Sequence, residues 1–525
     1  MAKQKAVFFC LITMSLMMLI SSSSFFLSPY LTKKIMQGEA NHKQFNFALQ
    51  RNNTAALALE INKHREGSSQ WLFFKMALAH QQAQTAYELA TWYGNQYLNV
   101  IAEQRLSSKY LQEAKKWYQQ AIRLGSEIAK VSFARLYQQQ GRLNLARSQL
   151  SQVNSSAGLD IELGSLLVSI DLALETGNIK LVESLIVQKI PLLLLTPEGR
   201  KLLADIQRYK TLNVGSHVSE KVANLFTSVA TPTMARSLLQ PPNTSCTTSL
   251  QLFASSLANL KHLDALIEQF ISTPLASFVC LPPPRYVARQ SLSCHNNKKS
   301  ALLCDESTWR ELAATITTRH IGYMSNEGGA NVHFGILYFD RHDSLDIFTH
   351  ELSHLLGFID EYPLSINHST CQQTQTSTFS HNISVLARNY QGRQADIRRQ
   401  ILQELPWSNA IKPSTPILHQ RDHNSDNWLL GTPKSHQHEV GVFAAQSCKK
   451  SKVAKANNFS AFKATAQSTH LEYSVEQLSL LYLQQLNLAP EKFLMPSFHY
   501  NIALALYQQG EEEQALYWLE QAKLW

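Results

Sequence analysis

The stretch Thr349-His350-Glu351-Leu352-Ser353-His354-Leu355-Leu356-Gly357-Phe358-Ile359-Asp360-Glu361-Tyr362 organises everything around it. Four residues on an α-helix turn the chain by about 400°, so His350 and His354 stand one above the other and can grip a single ion. Glu351 is rotated by roughly 100° from His350, beside an ion instead of on it, where its carboxylate can take a proton from a water that the metal acidifies. Gly357 predicts a helix end in the left-handed conformation, after which the chain turns back and carries Asp360 toward the same point. Two imidazoles and one carboxylate leave a fourth position for water, the composition of a catalytic zinc site, whereas structural sites are normally closed by four ligands, often cysteine. At this composition H-E-x-x-H arises by chance roughly 0.03 times per chain. Just upstream, Asn331 to Asp340 (NVHFGILYFD), preceded by Gly328 and Gly329, reads as a strand. The helix after it has Asp343 or Ser344 as cap and Leu345, Phe348, Leu352 and Leu355 along one face.

H-E-x-x-H-x-x-G-x-x-D resembles the metzincin signature, with Asp360 where a third histidine is usual, a variation also seen in snapalysin-like enzymes. The continuation Asp360-Glu361-Tyr362 is similar to the D-E-Y that follows H-E-x-x-H in the IgA-peptidase-like zinc metallopeptidases, and looser matches lie at Leu405-Pro406-Trp407, Lys412 to Ile417 and Val440 to Ala444. In that family D-E-Y stands one residue further from the second histidine. Two candidates for the third ligand follow, Asp360 by metzincin spacing and Glu361 as runner-up. The resemblance implies Zn²⁺ as cofactor, His350, His354 and Asp360 as its ligands, Glu351 as general base, and a peptide or protein substrate. It also implies a Met-containing turn beneath the metal, usually with Tyr two residues on. The nearest copy is Thr469-His470-Leu471-Glu472-Tyr473, with Leu471 in the place of Met, which makes Tyr473 a candidate for the metal or the oxyanion; a packed or surface aromatic is its plainer reading. The strand at Asn331 to Asp340 fits the family's edge strand, to which an extended peptide adds by main-chain hydrogen bonds.

The rest of the chain fits an exported protein. Lys3, Lys5 and the apolar run from Ala6 to Ile20 have the layout of an export signal, and continuing to Leu27 the run is long enough for an uncleaved signal anchor. Both alternatives, over 1–27, put the bulk of the chain in a periplasmic or extracellular space. Cys10 aside, six cysteines remain, Cys246, Cys280, Cys294, Cys304, Cys371 and Cys448, an even number that fits three disulfides. Spacing leaves the connectivity open, with Cys294–Cys304 and Cys371–Cys448 as the favoured pairs.

With 525 residues, 44% hydrophobic and 17% charged, the chain is neither fibrous nor mainly disordered. A net charge of +9 over this length is short of a dedicated nucleic-acid binder, and no nucleic acid is expected as partner. Basic runs at Arg388 to Arg399 and Lys449 to Lys455 read first as solvated surface, with an anionic surface such as lipid headgroups or wall polymer as the alternative. His419, His423, His436 and His438 lie in turn-rich sequence and read as loop histidines.

Residues 40–215 read as amphipathic helices. Ala114 to Leu124, Ala129 to Gln140 and Leu143 to Leu150 are separated by Gly125-Ser126 and Gly141-Arg142, which resembles tetratricopeptide or Sel1-type repeats, with alanines against Trp117, Tyr118, Phe133 and Tyr137. The last fifty residues, 476–525, resemble them again. The expected architecture is multidomain and predominantly α with one α+β domain: a metzincin-like zinc peptidase domain over 230–475 between helical repeat-like segments. The competing expectation is a cell-envelope scaffold that binds a protein partner through its helices and carries a structural or vestigial zinc site.

Overall fold

The computed structural model describes residues 26–99, 104–154, 156, 158–209, 246–294, 301–302, 304–420, 426–474 and 477–525. The chain divides into two compact units, Met1–Leu172 and Ala173–Trp525. The signal or anchor reading falls almost entirely outside the described residues. Among the described residues no helix is long and apolar enough to cross a membrane.

The first unit is helical. Ser69–Ala79, Ala83–Asn99, Gln104–Arg123, Glu127–Gln139 and Leu143–Leu150 follow one another, and the last two turns fall at Gly125 and Gly141. Gly125 ends one helix at φ 93° and Ser126 opens the next by accepting from the Ala129 amide (3.3 Å). The core alternates small and large: Ala86, Ala90, Ala114, Ala121 and Ala129 are fully buried against Trp117, Tyr118 and Phe133. Tyr118 stacks on Phe133 with centroids 5.6 Å apart, and Phe133 lies against Tyr137. Alanine lets two helix backbones approach closely enough for the rings to fill the remaining space.

The second unit is α+β, so a predominantly helical chain with one α+β part is what the sequence led us to expect. Its main sheet comprises β1 (Thr248–Ala254), β2 (Val279–Cys280), β3 (Arg285–Tyr286), β4 (His320–Ser325), β5 (Asn331–His333) and β6 (Ile336–Asp340). The order is β2-β1-β4-β6-β5, with β3 also on β1. All pairings are parallel except that of β5 with β6. Such strands are covered on both faces, and every residue of β4 is buried. The remaining strands, β7 (Ser384–Ala387), β8 (Asn389–Gln391), β9 (Leu418–Gln420), β10 (Asn427–Leu430), β11 (Phe443–Ala444) and β12 (Phe459–Lys463), make two small antiparallel sheets, β8-β10-β9 and β11-β12-β7.

Two expectations change. Asn331 to Asp340 is a hairpin, not one strand: Phe334 (φ 38°) and Gly335 (φ 86°) both take positive φ, the geometry that closes two-residue hairpins. The helical segments are also apportioned differently. Ile179–Leu195 and Pro197–Arg208 belong to the second unit, where Arg208 pairs with Asp264 (2.9 Å). At the other end, helix Phe498–Gln508 buries Phe498, Ile502 and Leu506 in one core with Phe253, Trp309 and Tyr338. An apolar helical stripe needs a surface to cover it, and here the sheet supplies that surface.

Three disulfides form, Cys294–Cys304, Cys371–Cys448 and Cys246–Cys280, the first two being the pairs expected. They place the chain in an oxidising environment, extracellular or periplasmic.

Candidate metal centre

The helix that carries the motif runs Leu345–Leu355, and Ser344 caps it through the Ile347 amide (3.4 Å). Phe348, Leu352 and Leu355 are fully buried. Phe348 meets Phe339 of β6 and Phe270 of helix Leu257–Phe270 with centroids 5.4 and 5.7 Å apart, which fixes the helix on the sheet. The helix closes with Phe358 N donating to Ser353 O and with Gly357 at φ 91°. No other residue fits there, because a Cβ on Gly357 would lie 2.3 Å from the Phe493 carbonyl oxygen.

This closure turns the chain back so that Asp360 meets both histidines. Asp360 Oδ1 lies 3.0 Å from His350 Nε2 and 3.2 Å from His354 Nε2. The three donors are within 4.8 Å of one another, the one such group of three or more among the described residues. The far side of each ring is tied down. His350 Nδ1 donates to the His470 carbonyl (2.9 Å) and His354 Nδ1 to the Phe358 carbonyl (3.0 Å). A carbonyl only accepts, so the proton sits on Nδ1 and each Nε2 is the nitrogen presented to the centre. The residues therefore fit a zinc ion by donor type, by convergence and by tautomer.

Charge is arranged to match. Burial drives His354 toward the neutral form, but Asp360 and Glu351 outweigh it and hold the imidazole up to about 9 in the metal-free protein. Burial works against an ionised Asp360, and the two imidazoles more than reverse it, holding the carboxyl well below the usual range. Glu351 is 9% exposed, and burial pushes its carboxyl up despite His354 and His350. A carboxylate so placed has the higher basicity that proton abstraction needs.

Glu361 goes elsewhere. It is 1% exposed, and its oxygens accept from Lys463 Nζ (2.8 Å), Thr469 Oγ1 (2.9 Å), Asn382 Nδ2 (3.2 Å) and the Tyr482 hydroxyl. Lys463 Nζ also reaches Glu472 (2.9 Å), so one buried ammonium lies between two carboxylates. The network binds the Asp360–Tyr362 loop to the 469–473 turn, and Glu361 N donates to Leu471 O (2.9 Å). Ser447 Oγ clamps the same loop through the Asp360 carbonyl (2.6 Å).

The 469–473 turn meets the motif helix at His350 through the His470 carbonyl, and Leu471 is fully buried. Tyr473 does not join the centre. The amides of Glu472 and Tyr473 both fold back to Thr469 O, the turn directs Leu471 inward, and Tyr473 emerges 56% exposed. The tyrosine at the centre is Tyr362. Its ring lies parallel to that of His350, centroids 6.2 Å apart, and its hydroxyl is pushed up by burial and by the Asp360 carboxylate nearby. The sequence reading assigned Tyr362 no role; its place directly after the ligand pair was the available signal. His419, His436 and His438 stay outside the cluster, and His423 is outside the described residues.

Comparison with protein-family profiles, with curated proteins and with solved structures returned no match. The functional argument rests on the geometry of this chain.

Proposed function

We propose that this chain is an exported zinc-dependent endopeptidase of metzincin-like type. The observation that carries the reading is the convergence of His350 Nε2, His354 Nε2 and an Asp360 oxygen within 4.8 Å, with Glu351 on the same helix beside them. Zinc held there would supply Lewis acidity, making water a nucleophile at neutral pH and polarising the scissile carbonyl. The protein does the rest. Glu351 takes the proton of the attacking water and returns it to the leaving amine. The Tyr362 hydroxyl, close to His350 and Asp360, would donate a hydrogen bond to the oxyanion.

The substrate strand adds at β5. In the register His333↔Ile336, Val332↔Leu337, Asn331↔Tyr338, a two-residue hairpin makes the pair at Val332 the one without mutual hydrogen bonds, so its amide and carbonyl face away from β6. An extended peptide can take both, and the chain is then held along the sheet edge. The helical first unit, with its likeness to tetratricopeptide repeats, would recruit the protein from which that peptide comes.

Elemental analysis of the purified chain tests this, with Glu351→Gln and His354→Ala beside the wild type. We expect one zinc per chain in wild type and in Glu351→Gln, none in His354→Ala, and peptide hydrolysis about 10³-fold slower in Glu351→Gln. Folded wild type without zinc, or Glu351→Gln with full turnover, would overturn the reading and leave the helical scaffold as the better account.

A further inference from the structure

The two basic runs singled out in the sequence meet in the folded second unit. Arg388 from the first and Lys449 and Lys455 from the second line one open cleft of about 430 Å³. Its walls include Leu429, Phe459 and Asn458, and among the described residues no carboxylate side chain lines it. Lys450 and Lys452, next in sequence, are exposed as well. Among the described residues none of these five cations forms an ion pair. Elsewhere several lysines are partnered: Lys34 by Glu39, Lys63 by Glu60, Lys116 by Glu113, Lys130 by Glu127 and Lys523 by Glu520.

We propose that this cleft is a binding site for a phosphate-type oxyanion attached to an apolar body. Low-dielectric walls focus the potential of the three cations into the concavity, and an anion of charge two or more relieves their mutual repulsion. The planar guanidinium of Arg388 matches two oxygens at once, while the lysines add charge and mobile donors. Leu429 beside the cationic rim suits the apolar part of such a ligand. A nucleic acid fits poorly, because Phe459 and Phe462 in the wall are 5% and 3% exposed and offer no face for base stacking. The proposal does not depend on the peptidase reading, since none of the cleft's cations belongs to the metal centre.

The test compares the full wild-type chain with the triple variant Arg388→Ala, Lys449→Ala, Lys455→Ala. A control triple, Lys63→Ala, Lys116→Ala, Lys523→Ala, changes the net charge equally at residues that do not line the cleft. Pyrophosphate binding is read by titration calorimetry, and binding to vesicles of phosphatidylglycerol in phosphatidylcholine by sedimentation, both near 0.15 M salt. We expect binding by wild type and control and at least a tenfold loss in the cleft variant. Binding of pyrophosphate alone identifies a soluble phosphoanion, and binding of vesicles, with or without pyrophosphate, a lipid headgroup. No binding in either arm, or equal loss in control and cleft variants, overturns the proposal. Should the triple variant fail to keep the wild-type melting temperature, the single reversal Lys455→Glu carries the same comparison.

Discussion

The two units hold themselves together by different means. In the helical unit each buried ring is within a helix or two of its partners in sequence, and alanine spacing does most of the work: Trp117, Tyr118, Phe133 and Tyr137 come from consecutive helices. In the second unit the decisive contacts span long separations. Cys371 joins Cys448 across 77 residues, and Glu361 finds Lys463, Thr469 and Tyr482 still further along the chain. A fold built on neighbours is assembled as the chain grows, whereas one built on distant contacts must close many loops first and draws more on cross-links.

Three experiments would break or sharpen this contrast. Reduction has the largest expected effect. In the chain-entropy picture the three disulfides together contribute on the order of 10 kcal/mol, all of it in the second unit. A reduced sample should lose the second unit's melting transition in calorimetry and keep that of the helical unit; joint loss would show the units to be energetically one. Next, Lys463→Met leaves the buried Glu361 and the partly buried Glu472 without their cation, at a cost of about 3–5 kcal/mol. Because Glu361 adjoins Asp360, zinc affinity should weaken as well. A variant as stable as wild type with unchanged zinc affinity would show that the ion cluster is dispensable.

The smallest effect is pH-dependent. Burial holds His320 down to about 3, and burial holds His381 and His499 down to about 4. The unfolded chain takes up these protons near pH 6.5 while the folded one refuses them, so stability is lost as pH falls through the window from about 6.5 to 4. Each histidine contributes a slope of up to about 1.4 kcal/mol per pH unit, and His320→Gln should remove one such share. Denaturant melts across this window would measure it, and a flat profile in wild type would refute the assignment.

What could be read from sequence follows the same division. The site helix, a cap at Asp343 or Ser344, the left-handed Gly357 and the return of Asp360 are set by spacings of a few residues, and all were legible. So were the helix and turn boundaries around Gly125 and Gly141. The hairpin at Phe334 was missed because a phenylalanine at positive φ carries no turn signal; Asn-Gly at that place would have. Choosing between Asp360 and Glu361 needed knowledge of Lys463 and Tyr482, which local pattern does not carry. Tyr473 matched a spacing, yet the direction of its side chain depends on how the turn at Thr469 packs. The periodicity of the final helices was legible, while the sheet face on which they pack is visible only in three dimensions.

The segment Phe493–Phe498 gives these contacts an order in time. Its carbonyls lie against Gly335 and Gly357, Met495 N donates to Leu355 O, and the Met495 carbonyl receives Arg319 and His320. It thus bolts the end of the motif helix to the hairpin and to the start of β4. A chain made from its N-terminus exposes His350, Glu351 and His354 long before this bolt is synthesised. Newborn chains, and any truncated before residue 493, would carry the full motif without the clasp that sets its geometry, so the meeting of His350, His354 and Asp360 waits on a segment made more than a hundred residues later.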